Sequence, residues 1–167
     1  LVSAEQILDE IIPVARRELG SDHQNTTSAI VQRANLENAR GNHAAALNAL
    51  VEVLDARLLK YGPTNRDVLT TRIEMAKTYS LLGRYDDAVQ HFDDVLALQA
   101  EEIGHNHPDR LDALLDYGDV QLARGNSQRA EALYREAVNA FRDQLGVDDP
   151  QTVRAASYLE KLTAPRP

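Results

Sequence analysis

LGRYDDA, at residues 82–88, decides the fold, because its outline returns 42 residues away in both directions. It is RGNHAAA at 40–46 and RGNSQRA at 124–130. Each copy holds glycine in second place and alanine in last place, giving the series Gly41, Gly83, Gly125 and Ala46, Ala88, Ala130. The alanine series extends back to Ala4, and a third series, Gly20, Gly62, Gly104 and Gly146, keeps the same 42-residue spacing. Three coincident series define a repeat protein, and the repeat sets the architecture before any single element is read.

Between the glycines the apolar period is helical. Leu69, Ile73, Ala76, Tyr79 and Leu82 recur at spacings of three and four, and beyond Gly83 so do Tyr85, Ala88, Phe92, Val95 and Leu96. Gly83 separates the two patterns, where a left-handed residue ends a helix. Each unit therefore reads as a helix hairpin, and helices are predicted at 3–19, 25–40, 43–60, 67–82, 85–102, 109–124, 127–144 and 150–162. Ala34, Ala76 and Gly118 are small where the first helix of a hairpin must let the second approach. Ala46, Ala88 and Ala130 are the matching small residues, and Leu50, Phe92 and Tyr134 fill the space between successive hairpins. Stacked in this way, the hairpins bury one continuous core.

A chain of 167 residues, 43% apolar and 26% charged, fits a single globular domain. No apolar run reaches bilayer-spanning length, so a membrane is not an expected partner. The net charge is −8 and the basic residues are scattered, which argues equally against nucleic acid. The absence of cysteine excludes disulfides, zinc thiolates and thiol nucleophiles, and it fits a reducing, cytoplasmic setting.

Two histidines in EIGHNHPDR, residues 102–110, first suggest a metal. The repeat argues otherwise. The positions equivalent to His105 are Ser21, Pro63 and Val147, and those equivalent to His107 are His23, Asn65 and Asp149. A loop shared by every repeat without shared ligands is structural, and Pro108 suits the first turn of a helix. Replacing both histidines with alanine is expected to cost no more than about 0.5 kcal/mol, as at surface sites. His43 and His91 have no H-x-x-x-H setting, and no nucleotide-binding loop or nucleophile elbow occurs. Asp86-Asp87 and Asp93-Asp94 read as helix starts and solvated faces. No catalytic constellation, metal site or cofactor is expected.

The spacing inside each unit resembles the tetratricopeptide repeat. Arg72, Met75-Ala76 and Tyr79 followed by Ala88 and Phe92 match its pattern, as do Leu114, Tyr117-Gly118, Ala130 and Tyr134. The first unit is weaker, with Glu37 in place of the tyrosine. The usual period is about 34, so each helix here carries about one more turn. With "LG…HPD" before the first helix, this longer form looks like the kinesin-light-chain type.

The resemblance implies an all-α, right-handed superhelical solenoid of antiparallel helix hairpins, about eight helices in all. Residues 1–19 would be the second helix of a truncated unit, 20–61, 62–103 and 104–145 three full units, 146–163 a capping helix, and 164–167 a tail. It also implies a protein-interaction module, here the C-terminal repeat region of a larger bacterial intracellular signalling or regulatory protein. The ligand groove would be the concave face, which by register also carries Val31 and Leu115, and it would be lined by Gln32, Asn35 and Asn38, then Thr70, Glu74 and Lys77, then Asp112, Asp116 and Asp119. The carboxylate clamp of some relatives is not reproduced, since Asp119 stands at the register of Asn35 and Lys77. The groove runs from neutral to acidic and would favour a protein or peptide with a basic segment. The alternatives are a sensor of small molecules or peptides, and self-association, as a homodimer, through the apolar N-terminal helix and the convex face. Because the histidine loop is structural, EDTA should leave the thermal melt unchanged; a chelator-dependent loss of helicity would place a metal at His105 and His107.

Overall fold

The computed structural model describes residues 3–163. The tail at 164–167, and residues 1–2 at the start of the expected truncated unit, lie outside the described residues. Within them run eight α-helices and no strand: α1 (Ala4–Leu19), α2 (Gln24–Ala39), α3 (His43–Tyr61), α4 (Arg66–Leu81), α5 (Tyr85–Glu102), α6 (Pro108–Ala123), α7 (Ser127–Leu145) and α8 (Pro150–Thr163). Every helix expected from the periodicity is present, with ends moved by a single residue at most. α1 continues through Pro13, and Ser3 starts it with a capping box in which Gln6 returns the bond. The helices divide into two compact units between Arg84 and Tyr85, inside the middle repeat.

In the unit formed by α1 to α4, each helix packs on the next. Ile30, Val31, Ala34, Ala46, Leu50, Val53 and Met75 form its core, with Ile12 and Tyr79 packed against them. Ala34 and Ala46 are completely buried, which brings α2 and α3 close enough for Leu50 and Val53 to be buried completely as well. A side chain of that size contributes about 1.5–3 kcal/mol when fully buried. One cation is built into the unit. The buried Arg57 of α3 donates to Thr27 Oγ1 (3.2 Å), Ser28 Oγ (3.2 Å), Thr71 Oγ1 (2.9 Å) and the Asp67 carbonyl (3.1 Å). Those partners lie in the first two turns of α2 and α4, so Arg57 ties two first helices together. Burial lowers its pKa, opposed by the charge of Asp67.

In the unit formed by α5 to α8, α6 is the central helix, and Leu111, Ala113, Leu114, Leu115, Tyr117 and Gly118 are all buried. Tyr117 stacks on Phe92 with ring centroids 5.1 Å apart and planes 8° from parallel. The tightest contact is between α6 and α7. A Cβ added at Gly118 would lie 2.2 Å from Tyr134 Cε1 and 2.7 Å from Cδ1. Gly118 thus exists so that the Tyr134 ring can lie against the α6 backbone. The tyrosine hydroxyl emerges beyond that contact and donates to Asp119 Oδ1 at 2.7 Å.

The repeated loops close by repeated hydrogen bonds. After α2, the N–H of Gly41 bonds the Asn38 carbonyl and the N–H of Asn42 bonds the Glu37 carbonyl. This Schellman pair recurs at Gly83–Arg84 and Gly125–Asn126, and the left-handed φ of +84° at Gly41 explains why glycine holds that place.

The opposite loops answer the question raised by the histidines. His107 Nδ1 accepts from the Asp109 N–H at 3.2 Å and is the N-cap of α6. His23 caps α2 at 3.2 Å, Asn65 caps α4 at 2.9 Å, and Asp149 Oδ1 accepts from the Gln151 N–H at 2.8 Å. Histidine, asparagine and aspartate therefore perform one task at one register. His105 contributes its carbonyl to Arg110 Nη1 (2.9 Å). The expected indifference to replacing both histidines is corrected accordingly, since His107→Ala removes a cap worth about 0.5–2 kcal/mol.

Gly118→Ala should destabilise the protein by about 1–3 kcal/mol, despite the gain of about 1 kcal/mol in helix propensity. Adding Tyr134→Leu, the residue type that Leu50 supplies at the same register two repeats earlier, should recover part of the loss. Urea unfolding of the two single variants and the double variant would measure the coupling; additive effects would contradict the contact.

Candidate functional site

The first helices of the hairpins carry every residue expected to bind a ligand, and the two units treat them differently. In the first unit, Gln32 and Thr70 are exposed, while Asn35, Asn38, Glu74 and Lys77 are half-buried. Asn38 Nδ2 donates to Thr78 Oγ1 at 2.8 Å, and its Oδ1 lies 3.2 Å from His43 Nδ1. It joins α2 to α4 and to the start of α3. Thr70 donates to the Arg66 carbonyl of its own helix (2.9 Å), and Lys77 Nζ pairs with Glu74 Oε1 at 3.1 Å. The face is polar and nearly neutral. Val31, placed on the same face by register, is buried and belongs to the core.

In the second unit, Asp112, Asp116 and Asp119 follow one face of α6 at spacings of four and three. Leu115, expected beside them, is instead buried. Like charges so placed repel, and here the chain supplies compensation. Arg154 of α8 pairs with Asp112, and Tyr134 donates to Asp119. Tyr158 of α8 lies near the same face. Its hydroxyl pKa is raised by burial first, then by the charges of Asp119 and Asp116. Tyr134 and Tyr158 meet with ring centroids 5.3 Å apart.

Arg154 and Tyr158 escaped the sequence reading, which treated their helix only as a cap. A signal was present: Arg154 is the register equivalent of Asp112, and equivalent positions on adjacent first helices face each other. Among the described residues, no group of three His, Cys, Asp or Glu side chains is arranged to hold a metal ion. None of their helices is long and apolar enough to cross a membrane.

Comparison with known proteins places this geometry. The profile of the tetratricopeptide repeat family matches residues 26–101 and again 67–143. A clustered mitochondria protein homolog from Aspergillus clavatus is 29% identical over 161 residues, covering 96% of this chain but 13% of that protein. The homolog from Coccidioides immitis is 27% identical, with 96% of this chain and 13% of that protein covered. The chain therefore spans about an eighth of the length of these relatives. They are fungal, so the expected bacterial signalling parent draws no support from them.

In fold, the chain is similar to the TPR-like repeats of a Podospora anserina putative kinesin light chain. The TM-score is 0.74 at 22% identity, with 95% of this chain and 75% of that one covered. It is also similar to BtubC (BKLC) from P. vanneervenii, with a TM-score of 0.72 at 19% identity over 95% of this chain and 62% of that one. The expected kinesin-light-chain-like repeat fold is thus the observed one.

Tyr134 offers a test of the second unit. Burial, then the hydrogen bond to Asp119 and its charge, raise the Tyr134 pKa above the usual value of about 10. The folded state therefore holds the proton more tightly than the unfolded state. The stabilisation is fully present below about pH 10 and is lost as pH rises from there toward the folded value. Urea unfolding across this range should show a steeper alkaline loss for the parent than for Tyr134→Phe, and identical slopes would refute the assignment.

Proposed function

Because this chain belongs to the tetratricopeptide repeat family, we propose that it is a non-catalytic protein-interaction module that captures a peptide or partner helix on its first-helix face. The observation that carries this reading is the row of Asp112, Asp116 and Asp119 on α6, flanked by Arg154 and Tyr158 of α8. A tetratricopeptide scaffold holds such a row on a rigid helix, where its geometry cannot relax away from a ligand.

The chemistry favours a partner with lysine or arginine. Arg154 already shows how a guanidinium engages Asp112 from outside α6. Both side chains of that pair are about half exposed, so the pair contributes little to stability and exchanges readily with a competing cation. The tyrosine rings beside the carboxylates add apolar surface for the stem of a basic side chain. Asn35, Gln32 and Lys77 of the other unit would present a polar surface suited to hydrogen bonding with extended backbone. A cysteine-free sequence supports a cytoplasmic setting.

An arrayed peptide set graded in lysine and arginine content tests the reading. Binding should rise with basic content, fall as salt passes through physiological strength, and be lost on combining Asp112→Asn, Asp116→Asn and Asp119→Asn. Arg154→Ala should strengthen binding by removing the internal competitor. Circular dichroism checks that the variants stay helical. Basic peptides that bind the triple variant as well as the parent would rule out the α6 face.

A further inference from the structure

Asp112, Asp116 and Asp119 form a row of fixed pitch. A helix rises about 1.5 Å per residue, so the carboxylates stand about 6 Å and then about 4.5 Å apart along the α6 axis, about 10.5 Å in all. Successive same-face side chains of an extended segment stand about 6.7 Å apart, so three of them overshoot the row by about 3 Å. A second helix laid along α6, with side chains at i, i+4 and i+7, repeats the pitch at all three places. The chain already holds such a helix. Arg154, Tyr158 and Lys161 of α8 stand at the registers of Asp112, Asp116 and Asp119 and share their spacing. Arg154 reaches Asp112, and Lys161 Nζ lies 5.5 Å from the centre of the Tyr158 ring. Burial raises the Tyr158 hydroxyl pKa first, and Asp119, Asp116 and Asp112 each add to it, so that hydroxyl feels all three carboxylates.

Hydrogen bonding points the same way. Ionised carboxylates only accept. The donors beside them are engaged, Arg154 with Asp112 and the Tyr134 hydroxyl with Asp119. An extended segment brings a backbone carbonyl with every N–H, and its carbonyls would face carboxylates. A helix keeps both groups within itself and offers only side chains. The neutral amides that suit extended backbone, Gln32 and Asn35 of α2, stand at the registers of Asp116 and Asp119, so α6 has aspartate where α2 has them.

We infer that the segment bound on the α6 face is an amphipathic helix of a partner protein, running in the direction of α8, with lysine or arginine at i, i+4 and i+7. The inference rests on the α6 face being the binding face, and it adds the conformation and spacing of the partner. A second copy of the chain is a poor occupant. Its exposed arginines Arg135 and Arg142 on α7 have the required separation of seven. Glu131, Glu136 and Asp143 flank them, and Glu131 already pairs with Arg135, so that segment brings more carboxylates than cations to an acidic face.

Three synthetic peptides of about 18 residues, long enough for a marginal helix in water, serve as probes of the intact protein. The first carries arginine at i, i+4 and i+7 in an alanine and glutamine background. The second has the same composition with arginine at i, i+2 and i+4, and the third is the first with a central alanine replaced by proline. Backbone amide NMR signals of residues 112–119 report binding, and circular dichroism reports the helicity of the peptide. The first peptide should bind about fivefold or more tightly than either control, and should gain helicity as it binds. Asp116→Lys in the protein should weaken it, and glutamate at i+4 of the peptide should restore affinity; thermal melts check that the variant stays folded. Equal affinity for the three peptides would overturn the helix while leaving a basic partner in place. Absence of saturable shifts with all three would overturn both readings. Self-association of the protein alone that Arg142→Glu disperses would also overturn the inference, by making α7 of a second copy the occupant.

Discussion

The closest approach of two helices in a hairpin is the constraint on which the structure depends. At Gly118 there is no room even for a methyl group beside Tyr134, and in the other unit Ala34 and Ala46 are wholly buried at the matching places. Once that contact is fixed, the remaining features have little freedom. The larger residue one turn away must fill the space between helices, as Leu50 and Tyr134 do. The loop between the helices must reverse the chain within a few residues, which the Schellman pair at Gly41 accomplishes. The hairpin of α6 and α7 pairs a smaller residue at position 118 with a larger ring at 134, where the hairpin of α2 and α3 exchanges them for Ala34 and Leu50. Packing at near-crystalline density makes that exchange compulsory.

Most of this was legible because the chain states its pattern several times. The glycine and alanine series set the register, and the register located the helices and the small-residue contacts at Ala34, Ala46 and Ala130. The candidate surface was less legible. Register told which residues share a helix face, but not how far the neighbouring helix covers it, so Val31 and Leu115 were counted as accessible when both are core. Charge bookkeeping along a single helix likewise left Asp112, Asp116 and Asp119 without compensation, because Arg154 and the Tyr134 hydroxyl reach them from other helices. Asn38, expected in the ligand groove, also bonds Thr78 of α4.

Arg57 and Arg110 show how each unit handles a largely buried cation. Arg57 is surrounded by hydroxyls and a carbonyl, so its charge is solvated by dipoles rather than neutralised by a buried carboxylate. Arg110 instead meets a carboxylate at the protein edge, with Glu136 half exposed. Removing either arginine would leave polar partners behind, and the loss from the first would be the larger because its partners lie deeper. Both hold helices.

The N-caps have a consequence for how such repeats diverge. His23, Asn65, His107 and Asp149 all offer an acceptor at the δ1 position to an N–H two residues on. The thing preserved through duplication is thus a lone pair at a fixed distance from the backbone, not a residue. Codons for histidine, asparagine and aspartate differ only in their first base, so each exchange is a single mutational step between working caps. Ring, amide and carboxylate can replace one another here without a helix ever starting uncapped, and the exposed end of the repeat is free to change its charge from copy to copy.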